Sequence, residues 1–108
     1  MRLLLDESEP ARLRRALATH RVRTVGEMGW SGVKNGKLLA LAAVEFDAFV
    51  TVDKNLPYQQ NLTTLPNAVV VLDAVSIELP ALLALLPALE LQLSSLAPKT
   101  CVRIMAGA

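Results

Sequence analysis

Asp6, Asp53 and Asp73 each close a short apolar run: Leu3-Leu4-Leu5-Asp6, Phe49-Val50-Thr51-Val52-Asp53 and Val69-Val70-Val71-Leu72-Asp73. Runs this short, rich in Val and Leu, suit strands buried on both faces of a parallel sheet. Parallel strands share one carboxyl edge, and open α/β folds place their ligands along it. An acid at the end of three strands therefore predicts a carboxylate cluster, suited to a divalent cation.

The elements that would carry these acids follow from the intervening sequence. Ser8-Glu9-Pro10 reads as a helix start, with Pro10 pre-set for the first turn. Ala11, Leu13, Ala16 and Leu17 form an apolar stripe, Arg12, Arg14 and Arg15 face outward, and His20 is expected at the exposed far end. Val22 to Val25 makes a weak second strand. A loop from Gly26 to Gly36 holds four glycines and Trp30. Asn35 is expected to cap a helix through Phe46, with Leu38, Leu41, Ala42 and Glu45 at helical spacing. Ser76 opens a leucine-rich helical region that Pro87 splits in two, and Thr100 to Ile104 is a last strand. The order βαβαββααβ predicts one α/β domain over residues 1–108, with right-handed crossovers. Glu45 and Asp47 fall at the amino ends of the strands, the opposite edge from the three aspartates.

Composition sets bounds. The 108 residues, 53% apolar, suffice for one domain with a real core. A net charge of +1 argues neither for nor against nucleic acid, since brief binding needs only a local basic rim. Cys101 is the only cysteine. No internal disulfide is possible, and a cytoplasmic location is expected. The apolar stretch from Ile77 to Leu96 is interrupted by Glu78, Pro80, Pro87 and Glu90, too broken for a membrane span. Its leucines occupy more than one face, which predicts a homodimer or a bound partner as second cover. No Gly-x-Gly-x-x-Gly turn follows the first strand, against a dinucleotide site.

Several segments together resemble one family. The start Met1-Arg2-Leu3-Leu4-Leu5-Asp6-Glu7, the Pro10 helix, the loop Glu27-Met28-Gly29-Trp30-Ser31-Gly32, the helix Leu38-Leu39-Ala40-Leu41-Ala42 and the segment Val50-Thr51-Val52-Asp53-Lys54-Asn55-Leu56 look like the small PIN-like proteins of the DUF5615 group. The likeness runs from Met1 to about Leu72. It implies a three-layer α/β/α fold around a mainly parallel sheet. It also implies Mg²⁺- or Mn²⁺-dependent ribonuclease activity, and pairing as a toxin with a small antitoxin. Asp6 matches the acid ending the first strand, and Asp53 the acid of the Thr-x-Asp segment. Asn35 and Asn55 stand where many relatives carry further acids. An amide can donate its carbonyl oxygen to a hard cation, but without charge.

In the nuclease reading Asp6 and Asp53 hold the cation, with Glu7 and Asp73 as further ligands. The cation activates water and offsets phosphate charge. Lys34, Lys37 and Lys54 lie near the same edge and are expected to meet RNA phosphates. Trp30 and Tyr58 are candidates for stacking on bases, although a loop tryptophan in so small a domain also suits the core. Two alternatives stand beside this reading. One is a PIN-like binding protein whose catalytic site has degenerated, as Asn35 and Asn55 suggest. The other is a response-regulator receiver, which the Asp6-Glu7 pair and Asp53 followed by Asn55-Leu56-Pro57 resemble. Against a receiver, no lysine follows the last strand.

Overall fold

The computed structural model describes residues 1–6, 12–17, 19–56, 64–74, 76 and 78–105. Glu7, Pro10, Tyr58 and Ile77 lie outside them. The described elements are strand β1 (Arg2–Leu5), helix α1 (Leu13–Ala16), β2 (Arg21–Thr24), α2 (Asn35–Glu45), β3 (Ala48–Thr51), β4 (Ala68–Asp73), α3 (Leu79–Leu83), α4 (Leu86–Ser94) and β5 (Cys101–Met105). Pro80 and Pro87 each sit in the first turn of their helix, where a missing N–H costs nothing. The helical region is split at Pro87 for that reason. The expected α/β class and element order are present.

All four strand pairings are parallel, in the order β2-β1-β3-β4-β5. The central strands β1, β3 and β4 are the continuous apolar runs, and they are buried almost throughout. The edge strands β2 and β5 carry Arg21, Arg23 and Arg103 and stay partly exposed. Alternation along the strands then sorts the core into two clusters. Leu3, Leu5, Ala48, Val50, Val70 and Leu72 pack with α1, α3 and α4. Leu4, Phe49, Val69 and Val71 pack with α2, Leu56 and Leu65.

These faces decide the hand of the connections. From β1 to β2 the chain moves one way across the sheet by the α1 face. From β2 to β3 it moves the other way by the α2 face, so both crossovers have the same hand. The step from β4 to β5 continues in that second direction but passes by the α1 face. Its hand is therefore opposite, against the uniform hand expected. The physical reason is burial: without α3 and α4, the apolar faces of Ala68, Val70, Leu72 and Ile104 would be open to water. Burying each large aliphatic chain is worth roughly 1.5–3 kcal/mol.

Two local expectations are corrected. Asn35 is the first helical residue rather than the cap of α2. Lys34 takes the extended cap position, with no side-chain capping bond. His20 does not end an exposed helix, because α1 stops at Ala16. Its side chain is only 13% exposed, and Nε2 lies 3.0 Å from Glu90 Oε2 on α4. The leucines of α3 and α4 are covered mostly by the chain itself. Leu82, Leu85, Leu89 and Leu93 are buried, while Leu83 and Leu91 are exposed. Among the described residues no helix is long and apolar enough to cross a membrane.

Candidate functional site

The carboxyl edge is ordered by the same alternation that sorts the core. Leu4, Phe49, Val69 and Val71 belong to the α2 face. Two-residue steps from them reach Asp6, Thr51, Asp53 and Asp73, so the strand geometry directs all four toward that face. β1 and β3 are neighbours in space, and the chain leaves β1 in one direction and returns to β3 in the other. This reversal is the switch point at which open α/β sheets hold ligands. Asp6 and Asp53 both lie there.

Thr51 joins them. It is fully buried at the end of β3, one step beyond the Leu5–Val50 pair. Its hydroxyl donates to Asp6 Oδ2 at 2.7 Å and accepts from the Asp53 backbone N–H at 3.0 Å. The Asp6 N–H is itself tied to the Val50 carbonyl, 3.0 Å away. Asp53 Oδ1 accepts from the Asn55 N–H at 2.9 Å, closing a tight turn. Each aspartate keeps one carboxylate oxygen with no hydrogen bond among the described residues. Thr51 was visible in the sequence as part of Thr-x-Asp. The signal for its role was a polar residue inside an otherwise apolar buried strand.

Asp73 has different company. Lys54 Nζ lies 2.9 Å from its Oδ1 and also donates to the Ala74 carbonyl, and Arg103 Nε lies 3.5 Å from Oδ2. The Lys54 hydrogen bond, with the nearby Lys54 and Arg103 charges, holds the Asp73 carboxyl below its ordinary range. Asp73 is thus committed to an ion-pair cluster. Among the described residues no three His, Cys, Asp or Glu side chains group to hold a metal. Lys54, expected at phosphate, is spent on Asp73. Lys34 and Lys37 are exposed around the start of α2, on the acid-bearing face, without ion-pair partners among the described residues. No hydrogen bond among the described residues links Asn35 to either aspartate. Trp30 makes an edge-to-face contact with Phe46, ring centres 6.2 Å apart, and packs against the α2 core instead of standing free for a base.

The donor set can be tested against the cation that the resemblance implies. Mg²⁺ keeps several waters and takes one or two carboxylates with substrate phosphate. Two carboxylates that follow adjacent strands, Asp6 held by the Thr51 hydroxyl and Asp53 by the Asn55 N–H, fit that demand. They do not fit a caged site of many protein ligands. Cys101 fits no such role: burial pushes its thiol up, against the opposing influence of Arg103.

Compared with known proteins, the chain matches no family model, no curated protein and no solved structure.

Proposed function

We propose that this chain is a Mg²⁺- or Mn²⁺-dependent ribonuclease of the PIN-like type, the toxin of a toxin–antitoxin pair. The observation that carries the reading is the Asp6–Thr51–Asp53 constellation at the β1/β3 switch point. Asp6 and Asp53 would hold the cation, and the Thr51 hydroxyl fixes the Asp6 carboxylate. When bound, the cation neutralises phosphate charge and lowers the pKa of water. Lys34 and Lys37 attract the RNA backbone toward the same face. The Asp53–Asn55 turn keeps Asp53 from swinging away from the strand end.

The test is cleavage of total cellular RNA by purified protein with Mn²⁺ or Mg²⁺, beside Asp6→Asn and EDTA controls. Cleavage lost in both controls supports the reading. Mn²⁺ binding without cleavage transfers the site to a binding protein, the alternative that Asn35 and Asn55 favour. One further reading shares the strand order 2-1-3-4-5 of flavodoxin-like folds, receivers among them, but departs from them in the opposite hand of the β4–β5 connection. Stoichiometric phosphorylation by a small phosphodonor, abolished in Asp53→Asn, would establish it. A homodimer through α3 and α4 belongs to the same proposal and would use the exposed Leu83 and Leu91. Light scattering of Leu83→Glu tests it, and a monomeric wild-type chain removes it.

A further inference from the structure

Six of the seven arginines, Arg2, Arg12, Arg14, Arg15, Arg21 and Arg23, precede residue 24, while the four lysines lie elsewhere. The fold brings Arg2, Arg21 and Arg23 together toward the amino ends of β1 and β2, the sheet edge opposite Asp6 and Asp53. β1 and β2 pair Arg2 with Arg21 and Leu4 with Arg23, which places the Arg2, Arg21 and Arg23 side chains on one face. Like charges directly opposite in a sheet are destabilising, so this arrangement costs stability. Thr24 and Glu27 exchange hydrogen bonds, Thr24 N–H to Oε1 at 3.0 Å and Glu27 N–H to Oγ1 at 3.1 Å. Glu27 then bonds Arg14 on α1 and lies 3.8 Å from Arg23 on β2. Arg14 of α1 is in this way linked to Arg23 of the strand. Arg2 has Asp47 at 3.7 Å. Arg12, Arg15 and Arg21 are exposed and have no carboxylate partner among the described residues.

An open cleft of about 420 Å³ is lined by Arg2, Arg21 and Arg23 and also by Glu27, Glu45 and Phe46. Its volume is that of a small-ligand site. Guanidinium groups present a planar fork that matches phosphate oxygens in pairs. The Cα atoms of Arg21 and Arg23, two residues apart on one strand, are about 6.6 Å apart, and both side chains leave the same face.

We propose that the Arg2–Arg21–Arg23 cleft and the flanking α1 arginines hold the phosphate backbone of a single-stranded RNA. The choice of RNA rests on the ribonuclease reading, whereas the phosphate chemistry rests on the cleft alone. Among the described residues the one aromatic ring lining the cleft is Phe46, which is buried and engaged by Trp30. Binding is therefore electrostatic and indifferent to base sequence.

The test is fluorescence anisotropy of a labelled 15-nucleotide single strand with the full chain in EDTA, over a salt series. Wild type is expected to bind with a steep salt dependence. Arg21→Gln/Arg23→Gln is expected to weaken binding at least about tenfold and to flatten the salt slope by about 1.4, two phosphate contacts at about 0.7 each. Arg12→Gln/Arg15→Gln, on a separate element, shows a smaller loss in the same direction. Equal binding of DNA of the same sequence supports the phosphate assignment. The proposal is overturned if wild type does not bind, if the strand variant keeps wild-type affinity and slope, or if poly-glutamate displaces RNA at lower concentration. Binding lost in the strand variant without cleavage by wild type sinks the nuclease and leaves the cleft. Cleavage by wild type with unchanged binding by the variant does the reverse.

Discussion

Asp6 and Asp73 occupy equivalent places, each at the carboxyl end of an apolar strand on the same face of one sheet, yet their surroundings are opposite. Asp6 meets a neutral hydroxyl and shares it with the backbone of Asp53. Asp73 meets two cations, from the loop after β3 and from β5. The first arrangement orients negative charge and leaves it uncompensated. The second cancels it. A carboxylate becomes a candidate ligand by what its neighbours leave undone.

The largest effect separates the two acids directly. Asp6→Asn or Asp53→Asn is expected to lower metal-dependent RNA cleavage at least about 100-fold, the loss of a few kcal/mol of charge stabilisation. Asp73→Asn leaves cleavage within a few-fold of wild type. Equal losses in all three variants, measured as initial rates, would break the comparison. Thr51→Val comes next. It removes the donor to Asp6 and strands the Asp53 N–H, at a cost of about 1–3 kcal/mol. Thermal unfolding should therefore drop by about 4–8 °C per kcal/mol, with cleavage falling as Asp6 loses its orientation. An unchanged melting temperature would mean that the hydroxyl orders nothing.

Lys54→Gln sharpens the contrast from the other side. It releases one oxygen of Asp73, so Mn²⁺ binding, followed by calorimetry, should tighten roughly two- to fivefold as a third acid becomes available. Weaker binding would make Lys54 part of the site. The smallest effect is on acid stability. The Asp73 carboxyl is held below its ordinary value of 3.8 in the folded chain. Its contribution is therefore present above pH 3.8 and disappears as pH falls through the folded value. The melting-temperature difference between wild type and Asp73→Asn should be constant from neutral pH to about 5, then close in stronger acid. A difference that widens on acidification would contradict the pairing.

Much of this edge could be read from residue order alone. The three aspartates and the break at Pro87 depend on neighbours in the chain; Asp6 and Asp73 stand at strand ends as expected, whereas β3 stops at Thr51 and Asp53 lies two residues beyond it, in the turn it closes with Asn55. The shared face of Asp6, Thr51, Asp53 and Asp73 was also available, as two-residue steps from Leu4, Phe49 and Val69. Partners distant in sequence were not readable. Arg103 lies thirty residues from Asp73, and Glu90 lies seventy residues from His20. Packing over stacking was already the better reading of a loop tryptophan in so small a domain; only the fold shows that its partner is Phe46.

Residue order alone establishes an α/β chain with acids at or just past the ends of its buried strands, because periodicity and strand direction are local properties of the backbone. Tertiary structure decided which acid is open and which is neutralised. It also decided that α3 and α4 cross by the α1 face, and that Arg2, Arg21 and Arg23 come together toward the amino ends of β1 and β2. Those outcomes depend on which distant groups come within a few ångströms, and charge and burial act over that distance whatever the separation along the chain.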